Sequence, residues 1–323
     1  MICSAKVPAL RHFLATAGLL AAIASLATIL FPADVNTEPL VRVNVDLVTV
    51  TFNVTDSRGN HVTALKPDQV RITEDGIAQK MVLFKEAGQT AMRLSATPAE
   101  GLSGTSIFVL FDTSNGMYKG FSYASDAIAE FVRHLDQADS VAVYSFSRNL
   151  SRMATLTKDH NQAIYGLRNT VAGDDTALYN TLLLTLRDAA KVTGRKAVVV
   201  FSNGPDNASV ISPDDVRAVA EDEGIPIYVI STEEGRQDSI STSVFERLTA
   251  LTGGRLYWAR DWQKQAQAFA SVRDDIGSSY TVAYYPAPNS NEGFRNIRIE
   301  IVPDIGKKYR VRARVGYRSR GAS

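Results

Sequence analysis

The sequence is poor in cysteine and carries no excess of either charge, and each shortage excludes a class of protein. Cys3 is the only cysteine among 323 residues, so neither an internal disulfide nor a cysteine-based zinc site can form. The 35 basic and 34 acidic residues leave a formal charge of +1, which creates no broad positive field for nucleic acid. We therefore expect no nucleic-acid partner, and any metal must use oxygen or histidine ligands.

The sequence also lacks the common signatures of catalytic sites. It contains no G-x-S-x-G turn, no P-loop and no H-E-x-x-H helix. Its four histidines are scattered, and His160, which follows Asp159 in a predicted loop, has no activated serine to serve. We predict that the protein is not an enzyme, and a hydrolase is the least favoured alternative.

What remains is an ordinary globular composition with an unusual beginning. The chain is 45% hydrophobic and 21% charged, and its length suits two domains. Lys6 and Arg11 precede an uncharged apolar run over residues 13–31, which is typical of an export signal. Residues 1–33 therefore predict a signal peptide or, if the segment is retained, an N-terminal membrane anchor. Either way we expect an extracytoplasmic protein, which is periplasmic, secreted or anchored to the envelope.

Two separated regions of the chain have the alternating pattern of antiparallel strands. Residues 41–92 alternate apolar and polar side chains around turn-forming segments, and residues 278–318 contain three further strand-like runs. Neither region can bury a core alone, so we predict that together they build one β-sandwich. The last run alternates apolar residues with a basic set, for which we expect a solvated face or a surface that docks on an acidic partner or on lipid: Lys308, Arg310, Arg312, Arg314 and Arg318.

Residues 105–277, reached through a predicted linker at 93–104, have the pattern of an α/β domain. Short apolar runs at 106–111, 140–146, 197–201 and 227–230 alternate with helical patterns. This order predicts a doubly wound, mostly parallel sheet, in which ligands bind at the carboxyl ends of the strands.

The residues that follow three of these strands resemble the cation site of the von Willebrand factor type A (VWA) domain. FVLFDTSNGM resembles the opening of that domain, DTALY resembles its second loop, and SNG resembles its third. The resemblance implies a divalent cation, Mg²⁺ or Mn²⁺, held by Asp112, Ser114, Thr176 and Asn203, and it implies the fold named above.

Two positions depart from the pattern of the family. Gly116 stands where the resemblance calls for a second serine, and Asn203 stands where it calls for a carboxylate. Asp112 is then the only charged ligand, although Asp206 could supply a charge next to the site. We predict weak binding of Mg²⁺ or Mn²⁺; the alternative is that no cation binds and that Asp112 and Ser114 anchor the loop ends.

The whole chain from about residue 41 to 318 resembles the acidobacterial type of VWA-related secreted proteins, through segments such as SSYTVAYYP and KYRVRARVGYRS. The resemblance implies a secreted or envelope-associated binding protein. We expect it to contact a protein partner through loops 112–120, 173–179 and 203–210. The alternative is a structural component of the envelope, in which the sandwich makes the contacts and the cation site is a relict.

Overall fold

The computed structural model describes residues 47–94, 104–302 and 308–319. The predicted signal or anchor at 1–33 and most of the predicted linker lie outside the described residues, so both stay predictions. Within the described ranges, no helix is both long enough and apolar enough to span a bilayer.

The described residues form seven α-helices and fifteen strands, and the strands belong to three sheets. The strands are β1 (Val48–Thr55), β2 (Val70–Glu74), β3 (Ile77–Ala78), β4 (Met81–Glu86), β5 (Met92–Arg93), β6 (Thr105–Asp112), β7 (Ser140–Phe146), β8 (Leu150–Thr157), β9 (Arg195–Ser202), β10 (Ile227–Ser231), β11 (Leu256–Trp258), β12 (Tyr280–Tyr284), β13 (Phe294–Ile301), β14 (Arg310–Ala313) and β15 (Gly316–Arg318). The helices are α1 (Phe121–Arg133), α2 (His160–Arg168), α3 (Leu178–Ala190), α4 (Pro213–Glu223), α5 (Glu233–Gln237), α6 (Ser239–Thr252) and α7 (Trp262–Gly277).

A six-stranded sheet in the order β11-β10-β9-β6-β7-β8 forms the centre of the α/β part. All its pairings are parallel except that of β8 with β7. Side chains of α1, α2 and α7 pack on one face, and those of α3, α4 and α6 pack on the other. The apolar runs are continuous because both faces of these strands are buried. The predicted doubly wound sheet is confirmed.

Local signals set the ends of several helices. Ser212 accepts a hydrogen bond from the backbone of Asp215, whose side chain in turn accepts from the backbone of Ser212, with Pro213 in the first turn of α4. Gly224 ends the same helix at φ +61° and Gly253 ends α6 at φ +79°, a left-handed conformation that favours glycine.

The two outer regions of the chain build one antiparallel sandwich. Its five-stranded sheet has the order β14-β1-β12-β4-β5, and its four-stranded sheet has the order β15-β13-β2-β3. Strand β12 lies between β1 and β4, and β13 pairs with β2. Every central strand therefore depends on a partner from the other end of the chain, and the predicted discontinuous sandwich is confirmed.

Three local predictions are wrong. The run 77–85 after the turn at Asp75, whose pattern predicts one strand, is two strands, because β3 joins one sheet and β4 the other. The last strand is also divided between the sheets, as β14 and β15. His160 begins helix α2 instead of lying in a loop, and the edge strand β8 that precedes this helix was not predicted at all.

The basic face predicted for the last strand is partly internal. Arg314 is buried, and its guanidinium donates to the backbone oxygens of Thr49 and of Glu221 near the C-terminus of α4. Arg312 bonds to the buried carboxylate of Asp275 in α7. These two arginines fix the sandwich to the α/β part, so they provide no solvated face and no docking surface.

Candidate functional site

The candidate site lies where the strand order of the large sheet reverses. From β6 the chain continues to β7 on one side, while β9 lies on the other side. Asp112 is the last residue of β6 and Ser202 is the last residue of β9, and the register of these strands places them next to each other. Parallel α/β sheets bind ligands in the crevice at such a point.

Backbone and side-chain hydrogen bonds hold the three predicted loops together. The N–H of Asn115 in the first loop donates to the carbonyl oxygen of Asp174 in the second, at 3.1 Å. The N–H of Thr176 donates to the side-chain oxygen of Asn207 in the third loop, at 2.9 Å. The carbonyl oxygen of Thr176 accepts the N–H of Asn207 at 3.0 Å. The structure thus brings all three loops to one edge of the sheet.

Asp112 is fully buried at the centre of these loops. Its Oδ2 accepts a hydrogen bond of 2.5 Å from the Ser202 hydroxyl, and its Oδ1 accepts one of 2.9 Å from the backbone of Ser114. Among the described residues, no basic side chain forms an ion pair with it. Burial raises the pKa of Asp112, the Ser202 hydrogen bond opposes that rise, and the negative charge of Asp206 adds to it. A cation would relieve this cost.

Two neighbouring oxygens lack partners. Ser114 Oγ and Asn203 Oδ1 are buried, and within the described ranges neither makes a hydrogen bond of normal geometry. Hydroxyl and amide oxygens beside a carboxylate are the donor types that hard cations accept, so the chemistry of this set fits Mg²⁺ or Mn²⁺ in kind. Across the part of the chain that the structure describes, no three His, Cys, Asp or Glu side chains form a metal-binding group. Any cation here would rely on one carboxylate.

Gly116 and Asn203 adjoin each other in the structure. A Cβ atom built on Gly116 would overlap Asn203 Nδ2 and lie 3.3 Å from Asn203 Cγ. The space next to Gly116 is therefore filled by the carboxamide of Asn203.

Asp206 stabilises the third loop through hydrogen bonds with the backbone. One of its oxygens accepts the N–H of Tyr179 in the first turn of α3, and the other accepts the N–H groups of Ala208 and Ser209. It therefore caps α3 from another loop. Ser202 was missed as a site residue, although its place at the end of the strand next to β6 is the signal that could have identified it.

Comparison with known proteins agrees with this geometry. Residues 107–205 match the sequence model of the von Willebrand factor type A domain. The chain contains a VWA domain. The matched segment includes Asp112, Thr176 and Asn203, while the sandwich strands lie outside it. The comparison with curated proteins finds no significant match.

Several solved structures are similar to part of the chain. BatB, a conserved hypothetical protein of Bacteroides thetaiotaomicron, is 18% identical with a TM-score of 0.43, over 53% of this chain and 100% of that one. A von Willebrand factor type A protein of Catenulispora acidiphila is 11% identical with a TM-score of 0.46, over 75% of each chain. The vWF domain of the type V pili tip protein Mfa5 from Porphyromonas gingivalis is 12% identical with a TM-score of 0.46, over 55% of this chain and 96% of that one.

The buried carboxylate of the VWA domain predicts a stabilising substitution. A carboxyl whose pKa is raised by folding stabilises the fold below its unfolded pKa, and that contribution is lost as the pH rises through the folded pKa. In EDTA at pH 7 we expect Asp112→Asn to raise Tm by roughly 2–4 °C, which corresponds to about 1 kcal/mol. The gain should vanish below about pH 4. Circular dichroism recorded during thermal unfolding at both pH values measures this gain in Tm. An unchanged or lower Tm at pH 7 would contradict the prediction.

Proposed function

We propose that the protein is an extracytoplasmic binding protein that contacts a protein partner through the carboxyl edge of its VWA domain. Large apolar side chains exposed around this edge carry the proposal. Tyr118 in the first loop is 70% exposed, Val210 in the third is 91% exposed, and Ile240 at the start of α6 is 71% exposed. Exposed apolar side chains in the loops next to the candidate site favour an interaction at this edge.

The opposite edge of the sheet is not open in the same way. Arg195, at the amino end of β9, is buried and donates to the carbonyl oxygen of Ile276 and to the hydroxyl of Ser279, just before β12. The chain therefore enters the sandwich strand β12 next to the amino end of β9. Within the described residues, the carboxyl edge presents exposed apolar residues beside the candidate site, which supports contact through loops 112–120, 173–179 and 203–210.

In this proposal the cation is an auxiliary ligand of low affinity. Asp112, Ser114, Thr176 and Asn203 would hold Mg²⁺ or Mn²⁺, which would neutralise the buried carboxylate and attract an acidic group of the partner. We further propose that the protein is secreted or envelope-associated, in line with the apolar N-terminal segment and with the resemblance to acidobacterial VWA-related proteins. A purely structural role is less favoured because Arg312 and Arg314 are already engaged within the chain.

Photo-crosslinking in the native envelope tests the proposal with a matched pair of tyrosines. Tyr118 lies at the carboxyl edge, and Tyr165 lies in α2 with an almost equal exposure of 72%. A photoreactive phenylalanine analogue at Tyr118 should give a discrete adduct with another protein, whereas the same analogue at Tyr165 should give none. Adducts of the same partner at equal yield from both positions, or none from Tyr118, would refute docking at this edge.

A further inference from the structure

Gly116 and Asn203 are linked by a steric constraint. Any Cβ atom at position 116 would overlap the terminal nitrogen of Asn203 and lie 3.5 Å from its oxygen. Contacts this close are not tolerated without movement, so a side chain at 116 and the carboxamide at 203 compete for one space. The two residues that depart from the cation-site pattern therefore form a single arrangement.

The backbone around Asn203 is packed closely against other parts of the chain. A Cβ atom on Gly235 would overlap the carbonyl oxygen of Asn203, which shows how closely these two backbones approach. Gly204, at φ +106°, is packed in the same way: a Cβ atom there would lie 2.6 Å from Cβ of Ser241. The turn at 203–204 is thus packed closely against the first turns of α5 and α6, so the side chain of Asn203 can move more easily than its backbone.

The carboxamide also changes which chemical groups face the site. An amide carries one oxygen and one NH₂ group, so whichever end lies beside Gly116, the other end is left for the cation. The carboxamide of Asn203 fills the same space in both orientations of the amide. A hydroxyl oxygen at position 116 is excluded as long as this side chain is present.

We propose that Asn203 is a plug of the candidate cation site: its carboxamide fills the space beside Gly116 and leaves at most one amide oxygen as a ligand. This steric exclusion, more than the missing negative charge, keeps the affinity for cations low. This inference rests on the same site as the proposed function but requires no partner. Removing the carboxamide and placing a hydroxyl at position 116 should open a site lined by oxygen atoms of Asp112, Ser114 and the new serine.

Four proteins test the plug: the wild type, Gly116→Ser, Asn203→Ala and the double variant. In EDTA we expect Gly116→Ser alone to lower Tm by roughly 2–4 °C, because the carboxamide of Asn203 must leave the space that the new side chain takes. In the Asn203→Ala background the same change should lower Tm by less than about 2 °C. Calorimetric titration with MnCl₂ should show the double variant binding at least about 10-fold more tightly than the wild type, although no charge is added. Asn203→Ala alone should show a smaller gain, because the space is open but position 116 still supplies no hydroxyl oxygen.

Gly120→Ser is the matched control, since it adds the same side chain in the same loop where nothing lies within 4 Å of the new Cβ atom. It should leave Tm and Mn²⁺ binding unchanged in both backgrounds. An equal loss of Tm from Gly116→Ser with and without Asn203 would overturn the plug, and so would a double variant that binds Mn²⁺ no better than the wild type. Failure of the proposed function would appear separately, as missing crosslinks at Tyr118 in an otherwise unaltered protein.

Discussion

Asp275→Ala is expected to lower the free energy of unfolding by about 3–5 kcal/mol, because it removes the acceptor of a buried network. The Asp275 carboxylate is fully buried near the end of α7. It accepts a hydrogen bond of 2.5 Å from Arg312 in β14 and one of 2.9 Å from the Tyr257 hydroxyl in β11, and His61 Nε2 lies 3.2 Å away. Alanine would leave an arginine and a tyrosine hydroxyl half-buried without their acceptor, at the place where the sandwich meets the VWA domain.

The neighbouring Asp274 is the control. Its carboxylate is exposed and is paired with the adjacent Arg273 at 2.9 Å, so Asp274→Ala should change the free energy of unfolding by no more than about 0.5 kcal/mol. Urea denaturation of the two variants beside the wild type measures both values. Similar small losses in both variants would show that the network does not join the two parts of the molecule.

The effect of Asp275 should depend on pH in the direction opposite to that of Asp112. Burial by itself would raise the pKa of Asp275, but the hydrogen bond from His61 and the positive charge of Arg312 outweigh burial and lower it. A carboxyl with a lowered pKa stabilises the fold above its unfolded pKa of about 4, and the contribution is lost as the pH falls through the folded pKa. The difference between wild type and Asp275→Ala should therefore be widest at neutral pH and narrow below about pH 4.

The central architecture could be predicted because its strands are buried on both faces. Runs such as Ile107–Phe111 have no solvent-facing side, and this leaves a signal that local sequence reveals without knowledge of neighbours. Strand β8 has no such signal: most of its side chains are half-buried or exposed, and its pairing with β7 is irregular. Edge strands of this kind are specified by the partner strand and by the helix that packs on them, which the sequence does not display.

The basic residues of the last strand show the same limit of local sequence patterns, here for single side chains. Alternation correctly separated the apolar from the charged positions of 308–317, but it cannot tell a face that meets water from a face that meets another part of the same chain. Arg312 and Arg314 are internal because Asp275 and the end of α4 lie opposite them. Their acceptors are about 37 and 93 residues away in sequence, so no local pattern could have paired them.

The sequence predicted that residues of three loops would meet at one edge, but it predicted neither Ser202 as a neighbour of Asp112 nor the contact between Gly116 and Asn203. Motif order placed Asp112, Ser114 and Asn203 at one edge, and the structure brings them together around the loops described above. The contact between Gly116 and Asn203 joins residues from two loops, so sequence reasoning treated their departures as independent. That contact therefore decides whether a serine at position 116 alone raises or lowers the affinity for cations.

The sandwich core offers the second large effect, at a residue that joins both ends of the chain. Tyr280 in β12 is fully buried, and its ring stacks on Phe52 of β1 with centroids 5.3 Å apart and contacts Phe84 of β4 at 5.6 Å. Its hydroxyl donates to the carbonyl oxygen of Val62 at 2.9 Å and accepts the N–H of Leu65 at 3.2 Å. The ring and the hydroxyl therefore stabilise different contacts and can be separated by substitution.

We expect Tyr280→Ala to lower the free energy of unfolding by about 3–5 kcal/mol, because it leaves a cavity between strands from the two ends of the chain. Tyr280→Phe keeps the ring and should cost about 1–2 kcal/mol, the effect of leaving Val62 and Leu65 without their partner. Tyr285, which directly follows β12, is 42% exposed, and Tyr285→Ala should cost less than either. Hydrogen exchange should show faster opening of β1 and β4 in Tyr280→Ala, since both pair with β12. Protection of β1 and β4 equal to that of the wild type would mean that the N-terminal strands hold together without the C-terminal ones, against the discontinuous core described here.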